Sequence, residues 1–446
     1  AETDGGNALT RSPFVDELCS LFSVNGKTPL APTDTADENV YTKKQAISKV
    51  ILNTRKIKDC QVVNMPAYTV LAEKYRDITN RYVFAKDGKN VKVRRGGEMY
   101  FKNARTSVSQ LTDFFKCPYR FYIQYGLNVK PRDVAELKTA DLGNILHSVL
   151  ETYVRETDVR ETNKITCEKA KKCFENALAD DFYKGLRADP QMQGAITQLQ
   201  TESIRLCQVV KEQLSSSAFD NLATELSFGD GDLPPVQVKF KDGQFNLVGK
   251  IDRVDVCGNR FIVIDYKSGA GAAHYGEKDL YLGHKMQLLV YVKAVKNLYP
   301  ELRPAGFYYF NIHNNFSQAG AEKVYFYNGR TLDDADIACA IDTKLRQGKS
   351  ATLGLRLKSN GELSKIGGNL LSDEQFDNQV NYAFELIAAA GRLMTEGYAA
   401  VKPYEGACDY CDYKDICYFN DVYSYDARKV TDTVNKNTID KAVKIK

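Results

Sequence analysis

Three charged residues in two neighbouring apolar segments have the types and spacing of a metal site that acts on phosphate. Asp265 and Lys267 follow the β-branched and aromatic run Phe261–Ile264, and Asp252 lies a few residues earlier. Side chains alternate between the two faces of a strand, so the aspartate and the lysine share one face. Two carboxylates close together repel each other unless a cation lies between them, and clusters of oxygen ligands suit Mg²⁺. A lysine beside such an ion can hold an attacking water or offset negative charge that develops on a phosphate.

The elements that must position these residues are predicted to be the two strands of a hairpin. A turn at 257–259 would set the strands side by side and place Asp252 and Asp265 near the same end of a sheet. The alternative is a surface hairpin with an ordinary Asp–Lys ion pair. Two observations weigh against it. Asp265 follows four apolar residues, where an unpaired acid is costly, and Asp252 follows a glycine that permits close approach.

Two predicted helices, one on each side of the hairpin in the sequence, carry further candidate residues. The first covers about 141–154 and has apolar residues at the i, i+3, i+4 spacing, with Asp141 as its expected cap and His147 at the edge of the apolar stripe. A lone histidine in that position is more often a core or boundary residue than a ligand. The second helix presents Gln287 and Tyr291 on one face, because they are four residues apart.

These segments, in this order, resemble the RecB-like branch of the PD-(D/E)xK nuclease superfamily. The resemblance depends on four motifs, which are G-x-x-x-H at 143–147, G-x-I-D-R-x-D at 249–255, D-Y-K-S-G at 265–269 and Q-x-x-x-Y at 287–291. It implies an α/β fold with a restriction-endonuclease-like core, in which helices flank a central mixed sheet. A predicted strand at 306–312 completes the core order α–β–β–β–α–β of that superfamily.

The resemblance also implies a role for each matching residue. The metal ligands would be His147, Asp252, Asp265 and the main-chain carbonyl of Tyr266. Lys267 would position or activate the water that attacks a phosphodiester bond. The residues that hold the DNA strand or support the lysine would be Gln287 and Tyr291. The implied activity is DNA hydrolysis that depends on Mg²⁺, with Mn²⁺ as an alternative ion.

A group of cysteines near the end of the chain forms a second candidate site. Cys408, Cys411 and Cys417 follow a predicted helix at 372–396, and three cysteines within ten residues of an intracellular chain are typical of a metal or cluster site. A closed site needs four ligands, and the remaining motif-like cysteine is Cys117. Thiolates favour either Zn²⁺ or an iron–sulfur cluster, and the spacing by itself does not separate the two.

The cysteine arrangement, with the aromatic segment F-x-x-C-P-Y-R-F-Y-x-x-Y-G-L at 114–127, resembles the AddB family of nuclease subunits over about 100–420. That resemblance implies a structural [4Fe–4S] cluster, held by Cys117 and the three C-terminal cysteines, that ties the two ends of the nuclease domain together. It also implies an exonuclease that works on single-stranded DNA or DNA ends in double-strand break processing and recombinational repair. An AddA-type helicase–nuclease subunit is the expected partner, since this sequence has no G-x-x-x-x-G-K-[ST] phosphate loop.

Two other functions remain open at this point. A standalone Cas4-like exonuclease shares the four-cysteine pattern, but the long interval from Cys117 to Cys408 and the extra residues at 320–375 favour the AddB family. A non-catalytic DNA-binding scaffold of the same fold is the second alternative. Such a scaffold would be expected to lack one member of the acid–acid–lysine set, and this chain has all three.

The composition is that of a soluble globular protein with room for two or three domains. Of 446 residues, 43% are hydrophobic and 26% are charged. Lys and Arg (61) nearly balance Asp and Glu (57), so a DNA-binding surface must come from local clusters of charge. The basic stretch at 41–97 is interpreted as a solvated helix face with loops, and a flank that neutralises phosphates is the alternative. No apolar run approaches the ~18 residues of a membrane helix. Eleven cysteines without a secretion signal predict an intracellular, cytoplasmic protein rather than a disulfide scaffold.

Three segments make up the predicted domain organisation. Residues 1–100 are interpreted as a basic, partly disordered region and a remnant of a helicase-like part. Because the sequence does not begin with Met, the chain is expected to be processed or to belong to a longer protein. Residues 101–425 form the nuclease domain with its cluster. Residues 426–446 form a charged tail or a single peripheral helix.

Within the nuclease domain, four further expectations concern local structure. We expect a kinked aromatic helix at 107–127 that is capped by Ser107 or Ser109, and helical structure through 158–224. The segment 320–375 is interpreted as a polar insertion with a short hairpin. Glu225 opens the sheet and is interpreted as a surface residue rather than a neighbour of the metal.

Overall fold

The computed structural model of the chain describes two compact units. The described residues are 17, 21, 42–58, 65–77, 91–100, 105–130, 139–158, 162–179, 183, 190–230, 233–241, 243–269, 273–312, 325–350, 352–364, 369–417, 419, 427–429 and 433–444. One unit comprises 1–86 and 418–424, and its helices are α1 (Lys43–Lys58) and α2 (Met65–Lys74). The other unit comprises 87–417 and 425–446 and contains every candidate site residue. Within the described ranges, no helix combines the length and the apolar character needed to cross a membrane.

The second unit is built on a mixed sheet that has eight strands among the described residues. They are β1 (Arg105–Ser107), β2 (Asp220–Phe228), β3 (Val236–Phe240), β4 (Gly243–Cys257), β5 (Arg260–Lys267), β6 (Arg303–Asn311), β7 (Tyr327–Leu332) and β8 (Leu370–Leu371). The strand order is β1-β4-β5-β6-β7-β8, and β2 and β3 also pair with β4. The pairs β1–β4, β5–β6 and β7–β8 are parallel, and the others are antiparallel. The predicted α/β class with a mixed sheet is confirmed.

Strand β4 is the longest and changes partners along its length. Its residues up to Val248 pair with β1 and β3, and its residues from Gly249 onward pair with β2 and then β5. A Cβ atom on Gly249 would lie 2.8 Å from the ring of Phe228, so the glycine allows this ring to pack directly on the strand where the partners change. The predicted hairpin turn follows, with Gly258 in the left-handed conformation (φ 57°) between β4 and β5.

The helices of this unit cover both faces of the sheet. They are α3 (Gly96–Tyr100), α4 (Val108–Lys116), α5 (Pro118–Phe121), α6 (Thr139–Glu156), α7 (Asn163–Ala177), α8 (Gln193–Ser215), α9 (Glu277–Tyr281), α10 (Gln287–Leu298), α11 (Ala335–Ile341), α12 (Asp373–Thr395), α13 (Lys414–Cys417) and α14 (Lys436–Lys444). Short 3₁₀ turns occur at Pro190–Met192 and Thr343–Gln347, and a π turn at Tyr122–Gly126.

Alternation along β5 divides the interior into two apolar cores. Phe261 and Val263 belong to the core that contains α10 and α12, whereas Ile262 and Ile264 belong to the core that contains α6, α7 and α8. This is the period-two pattern that the sequence predicts, with helices packed on each face. The next residues of the strand on the α10 side are therefore Asp265 and Lys267, at the rim of the first core.

The aromatic segment before the core is broken at the predicted position. Helix α4 begins after Ser107, whose side chain accepts a hydrogen bond from the Gln110 N–H, and the Gln110 side chain completes a capping box. The chain is extended at Cys117, and Pro118 begins α5. Proline cannot continue the hydrogen bonding of α4, so the cysteine is placed at the junction of two short helices.

Several expectations about element boundaries are wrong. Helix α6 begins at Thr139, so Asp141 lies in its first turn instead of capping it. The helical prediction for 158–224 fails at its end, since β2 already begins at Asp220. Residues 320–375 are not an insertion, because they supply β7, α11 and β8 and extend the sheet. Their strands are short and buried on both faces, so the sequence has no period-two alternation that would predict them.

The C-terminal segment contains a docked helix. Ile439 of α14 is fully buried in the core that contains α12. The carboxylate of Asp440 accepts hydrogen bonds from the side-chain amides of Gln375 (3.1 Å) and Asn378 (2.8 Å), both in α12. Of the two predictions for this segment, a tail or a peripheral helix, the structure describes the helix, at Lys436–Lys444.

A buried ion pair lies inside the G-x-I-D-R-x-D motif. Arg253 and Asp255 are two residues apart on β4, both side chains are 2% exposed, and Arg253 Nε donates to Asp255 Oδ1 at 2.9 Å. The side-chain amide of Asn221 in β2 donates to the same oxygen at 3.0 Å. The motif therefore contains a structural pair as well as a candidate metal ligand, because a buried charge must be matched by its partner.

We expect Arg253→Met to lower the free energy of unfolding by about 3–5 kcal/mol, since it leaves the Asp255 carboxylate buried without its counter-charge. Urea denaturation followed by circular dichroism measures this. The double variant Arg253→Met/Asp255→Leu should recover most of the loss. Lys358→Gln, which removes an exposed pair with Glu362, is the control and should change stability by less than about 1 kcal/mol. Equal effects of Arg253→Met and Lys358→Gln on the free energy of unfolding would contradict the prediction.

Candidate active site

The hairpin brings the two candidate aspartates together at one end of the sheet. Arg253 pairs with Ile264 in the β4–β5 register, so Asp252 and Asp265 are the next residues facing each other across the strands. Asp252 Oδ2 accepts a hydrogen bond from the main-chain N–H of Tyr266 at 2.6 Å, which ties the first acid to the strand that carries the second. Both carboxylates are buried, with 7% and 1% of the residue surface exposed.

Burial makes the negative charge of this acid pair expensive. Burial, and then repulsion from Asp265, raises the pKa of Asp252 well above its usual range. Burial likewise raises the pKa of Asp265, while the adjacent Lys267 ammonium opposes the rise. Two carboxylates in this situation are ionised together only when positive charge is supplied nearby. The donor set therefore fits a hard divalent cation such as Mg²⁺, whose preferred ligands are carboxylate oxygens.

Lys267 is held in place by a chain of polar side chains. Its ammonium forms an ion pair with Asp265 and donates a hydrogen bond to Gln287 Oε1 at 3.0 Å. Gln287 Nε2 in turn donates to the hydroxyl of Tyr291 at 2.6 Å. The first residue of α10 and the residue one turn later thus fix the direction of the lysine, which is the arrangement that the i, i+4 spacing allows.

His147 lies beside the acid pair. Its Nδ1 is 3.5 Å from Asp252 Oδ2, and it reaches this position from α6, on the opposite side of β4 and β5 from α10. Burial lowers the pKa of His147 to about 4, and the ammonium groups of Lys267 and Lys250 contribute to that decrease. The imidazole is therefore neutral near pH 7, which is the form that binds metal ions.

A glycine one turn before His147 explains how α6 approaches the end of β5. A Cβ atom on Gly143 would lie 2.5 Å from the Ser268 hydroxyl oxygen, so a larger residue would push the helix away. The G-x-x-x-H spacing thus combines a contact glycine and a side chain that reaches the carboxylates on the same helix face.

Glu225 joins the site, and its interpretation as a surface residue is wrong. One ligand atom each of His147, Glu225 and Asp252 lie within 4.8 Å of one another. Thr224 pairs with Arg253 and Leu226 with Ile251, so Glu225 stands opposite Asp252 in the β2–β4 register. Its side chain is 10% exposed and forms an ion pair with Lys250.

The backbone of Glu225 is in the left-handed region (φ 53°), which is uncommon for a residue other than glycine within a strand. Burial raises the pKa of its carboxyl, and Lys250 opposes the rise. The sequence around Glu225 predicts neither its left-handed backbone nor the raised pKa of its carboxyl. The only available signal was an acid in a strand whose neighbours at 226 and 228 are apolar, and it becomes informative once β2 is known to pair with β4.

The main chain of Tyr266 lies between Asp265 and Lys267, with its N–H directed to Asp252. The ring of Tyr266 packs against the His147 ring, with centroids 5.7 Å apart and planes at 71°. The ligand role of its carbonyl stays a prediction.

The cysteines form a second cluster of candidate ligands. Cys117 is buried, and Cys408, Cys411 and Cys417 are partly buried. Burial raises the pKa of the Cys117 thiol, and the nearby charge of Cys411 adds to the rise. The pKa of Cys408 is raised by burial and then by Cys117 and Cys411, so these thiols are near enough to interact. Cys417 ends α13, where its N–H donates to the Tyr413 carbonyl at 2.9 Å.

Main-chain hydrogen bonds join the segments that carry these cysteines. The Tyr119 N–H donates to the Ala400 carbonyl at 3.1 Å, and the Tyr404 N–H donates to the Lys116 carbonyl at 2.8 Å. In the described part of the chain, no three cysteine sulfurs lie within 4.8 Å of one another.

The segment between α9 and α10 lies between the two candidate sites. Gly283 is in the left-handed conformation (φ 75°), and a Cβ atom there would lie 2.5 Å from the Phe115 ring. The His284 ring packs edge-on against Tyr404, with centroids 4.9 Å apart. This segment thus contacts the neighbourhood of the cysteines and leads directly into Gln287, which holds the catalytic lysine candidate.

Comparison with known proteins gives the same assignment as the geometry. The model of the PD-(D/E)XK nuclease superfamily matches residues 105–418, from the first residue of β1 to the residue after Cys417. This chain belongs to the PD-(D/E)XK nuclease superfamily. The resemblance seen in the sequence is confirmed, and the match includes every candidate residue of both clusters.

Proteins with similar sequences include three bacterial ones that are each named as a subunit of an ATP-dependent helicase/deoxyribonuclease. The protein of Clostridium tetani is 30% identical over 384 residues, which are 78% of this chain and 33% of that protein. The protein of Clostridium kluyveri is 29% identical over 362 residues, 74% of this chain and 31% of the relative. The protein of Bacillus licheniformis is 27% identical over 414 residues, which are 86% of this chain and 35% of that protein. The chain spans about one third of the length of these relatives.

In this PD-(D/E)XK chain, His284 is expected to couple stability to pH. Burial, and then the charges of Lys116 and Arg428, lowers its pKa to about 4 from the ordinary 6.5, and its Nε2 is buried without a hydrogen-bond partner among the described residues. Between these values the unfolded chain binds more protons than the folded one, so stability falls as the pH is lowered. We expect His284→Gln to lose less stability between pH 7 and pH 5 than the wild type.

Urea midpoints measured across this pH range test the prediction. The control is Lys358→Gln, which changes an exposed side chain paired with Glu362 and should keep the wild-type pH dependence. Parallel curves for His284→Gln and the wild type would contradict it.

Proposed function

We propose that this chain is the nuclease part of a helicase–nuclease component and hydrolyses DNA phosphodiester bonds with Mg²⁺ bound at the hairpin. The observation that carries the proposal is the convergence of His147, Glu225 and Asp252 within 4.8 Å, beside the Asp265–Lys267 pair. It is supported by the superfamily match over 105–418 and by relatives whose name includes deoxyribonuclease.

Each residue of the site has a role that follows from its contacts. Asp252 and Asp265 would bind the metal, with neutral His147 as a nitrogen ligand and the Tyr266 carbonyl as a further oxygen ligand. Glu225 is close enough to complete this set. When bound, the ion would polarise a phosphoryl oxygen and lower the pKa of a water molecule.

Lys267 is suited to the step at the phosphate. Its ammonium is fixed by Asp265 and Gln287, so no large reorientation is needed for it to position the attacking water or to offset negative charge on the phosphate. Tyr291 and Gln287 keep that orientation through their own hydrogen bond. Preorganised donors of this kind stabilise charge that develops in the transition state, because they need not turn toward it during the reaction.

The cellular role is proposed from the relatives' names. A name that combines helicase and deoxyribonuclease suggests exonucleolytic processing of DNA ends for recombinational repair, with unwinding contributed by an AddA-type partner. Single-stranded DNA is the expected substrate.

We also propose that Cys117, Cys408, Cys411 and Cys417 hold a [4Fe–4S] cluster with a structural role. The support is the donor set of four cysteine sulfurs and the electrostatic interaction among Cys117, Cys408 and Cys411. When bound, the cluster would link segments that are far apart in the chain. Closing so long a loop restricts the unfolded state and contributes a few kcal/mol.

Replacing either member of the acid–lysine pair should abolish DNA cleavage. We expect Asp265→Asn and Lys267→Ala to reduce Mg²⁺-dependent degradation of an end-labelled single-stranded oligonucleotide by at least about 100-fold, because the first removes a proposed metal ligand and the second removes the group that acts at the phosphate. Asp377→Asn and Lys358→Ala, which change exposed ion pairs elsewhere, are the matched controls and should cleave normally. Undiminished cutting by either site variant would overturn the assignment.

The cysteine proposal is tested by colour and metal content. The purified chain should be brown with broad visible absorption and about four irons per chain, and Cys411→Ser should lose both. Cys257→Ser, at the hairpin turn, is the control and should keep them. A colourless protein with stoichiometric zinc would overturn the cluster proposal and indicate that these cysteines bind zinc.

A further inference from the structure

Lys285 is a second lysine near the nuclease site, and it lies outside every motif found in the sequence. It belongs to the segment between α9 and α10, two residues before Gln287. Its Nζ is 4.8 Å from the centroid of the Tyr309 ring. The Nζ of Lys267 is 5.4 Å from the centroid of the same ring. The ammonium groups of both lysines therefore lie near the same aromatic ring and are within roughly 10 Å of each other.

Tyr309 is well placed to organise both lysines. It is 1% exposed and pairs with Asp265 in the parallel β5–β6 register, so its ring lies in the row of the sheet that carries the acid. A cation over a buried aromatic face is attracted by the ring quadrupole. Lys285 is thus held toward the site by its contact with the ring instead of extending freely from the surface.

The positive charges of Lys285 and Lys267 favour the binding of an anion. Burial, and then repulsion from Lys267, lowers the pKa of Lys285, while Asp279 and Asp265 oppose the change. Two ammonium groups held close together in a partly buried site repel each other, and a bound phosphate would relieve that repulsion. Of these two acids, Asp265 is also a proposed metal ligand, so metal binding would reduce the negative charge that it presents to the lysines.

The ammonium of Lys285 adds a second positive charge near Lys267, at the same aromatic ring. The position, next to the residue that holds Lys267 and on the same ring, is the one expected for a group that contacts the substrate strand.

We propose that Lys285 binds a phosphate of the DNA strand next to the scissile phosphate, while Lys267 acts at the scissile phosphate itself. The inference rests on the proposed nuclease function and names the part of the substrate that the site holds. The ligand is the backbone of single-stranded DNA, recognised through a non-bridging phosphate oxygen. Such a contact carries no base information and sets the register of the strand in the site.

The first measurement is binding without hydrolysis. Fluorescence anisotropy with a labelled single-stranded oligonucleotide in EDTA, over a series of salt concentrations, compares the 446-residue wild type with Lys285→Gln, Lys285→Arg and the control Lys278→Gln. Lys278 is a lysine in α9, seven residues before Lys285 in the chain. We expect Lys285→Gln to weaken binding about tenfold and to reduce the slope of log K against log salt by about 0.7, the value for one phosphate contact on a single strand. Lys285→Arg should retain the slope, and Lys278→Gln should match the wild type.

The second measurement locates the contact. Oligonucleotides in which one phosphate at a time is replaced by a neutral methylphosphonate are bound to wild type and to Lys285→Gln. At one position the replacement should weaken wild-type binding and leave the variant unaffected, because the variant has already lost that contact. In cleavage assays with Mg²⁺, Lys285→Gln should raise KM about tenfold with little change in kcat.

Two results would overturn the inference. One is that Lys285→Gln binds the oligonucleotide with the same affinity and the same salt slope as the wild type. The other is a fall in kcat with KM unchanged, which would mean that Lys285 acts through Lys267 instead of on a neighbouring phosphate. A wild type that neither binds nor cleaves the oligonucleotide would overturn the proposed function itself, whereas a wild type that cleaves and is indistinguishable from Lys285→Gln would overturn only the role of Lys285.

Discussion

Two buried carboxylates that face each other across a hairpin set the main physical constraint on this domain. Asp252 and Asp265 are both nearly inaccessible. Burial raises the pKa of each, and repulsion from Asp265 adds to the rise for Asp252. Charges of the same sign in a medium of low polarity are tolerated only if positive charge is provided at short range. The surrounding structure provides it in the form of Lys267, Lys250 and Lys285, and it leaves a set of oxygen and nitrogen ligands open to a divalent ion.

Different layers of the fold contribute to this arrangement. The helix layer on one side of the sheet supplies His147, which comes close because Gly143 allows α6 to contact the end of β5. The helix layer on the other side supplies Gln287 and Tyr291, which fix Lys267. The candidate metal ligand His147 and the lysine are therefore supported from opposite faces of the sheet, and both supports are helices.

The cysteine segments and the active site are connected through a short stretch of chain. The residues between α9 and α10 pack on Phe115 and Tyr404, which are close in sequence to Cys117 and Cys408. The same stretch carries Lys285 and ends at Gln287. The cysteine segments and the two lysines are therefore joined by a contiguous path of packed residues.

The sequence by itself determined the hairpin, the two acids and lysine at its end, the helix that carries His147 and the Gln287–Tyr291 pair. These depend on local periodicity, on a two-residue turn and on motifs with fixed spacing, and all of these are written in short stretches of chain. Ser107 as a helix cap and the break at Cys117 follow from equally local rules.

Tertiary structure alone decided the rest. Glu225 enters the site because β2 pairs with β4 in a register that no single segment specifies, and its left-handed backbone is maintained by the strands around it. Residues 327–332 and 370–371 become strands because a sheet edge is available to pair with them. Lys285 shares a ring with Lys267 because β6 places Tyr309 beside Asp265. In each case the determining contact joins residues that are distant in the chain, and strand pairing, unlike periodicity, is a property of two segments at once.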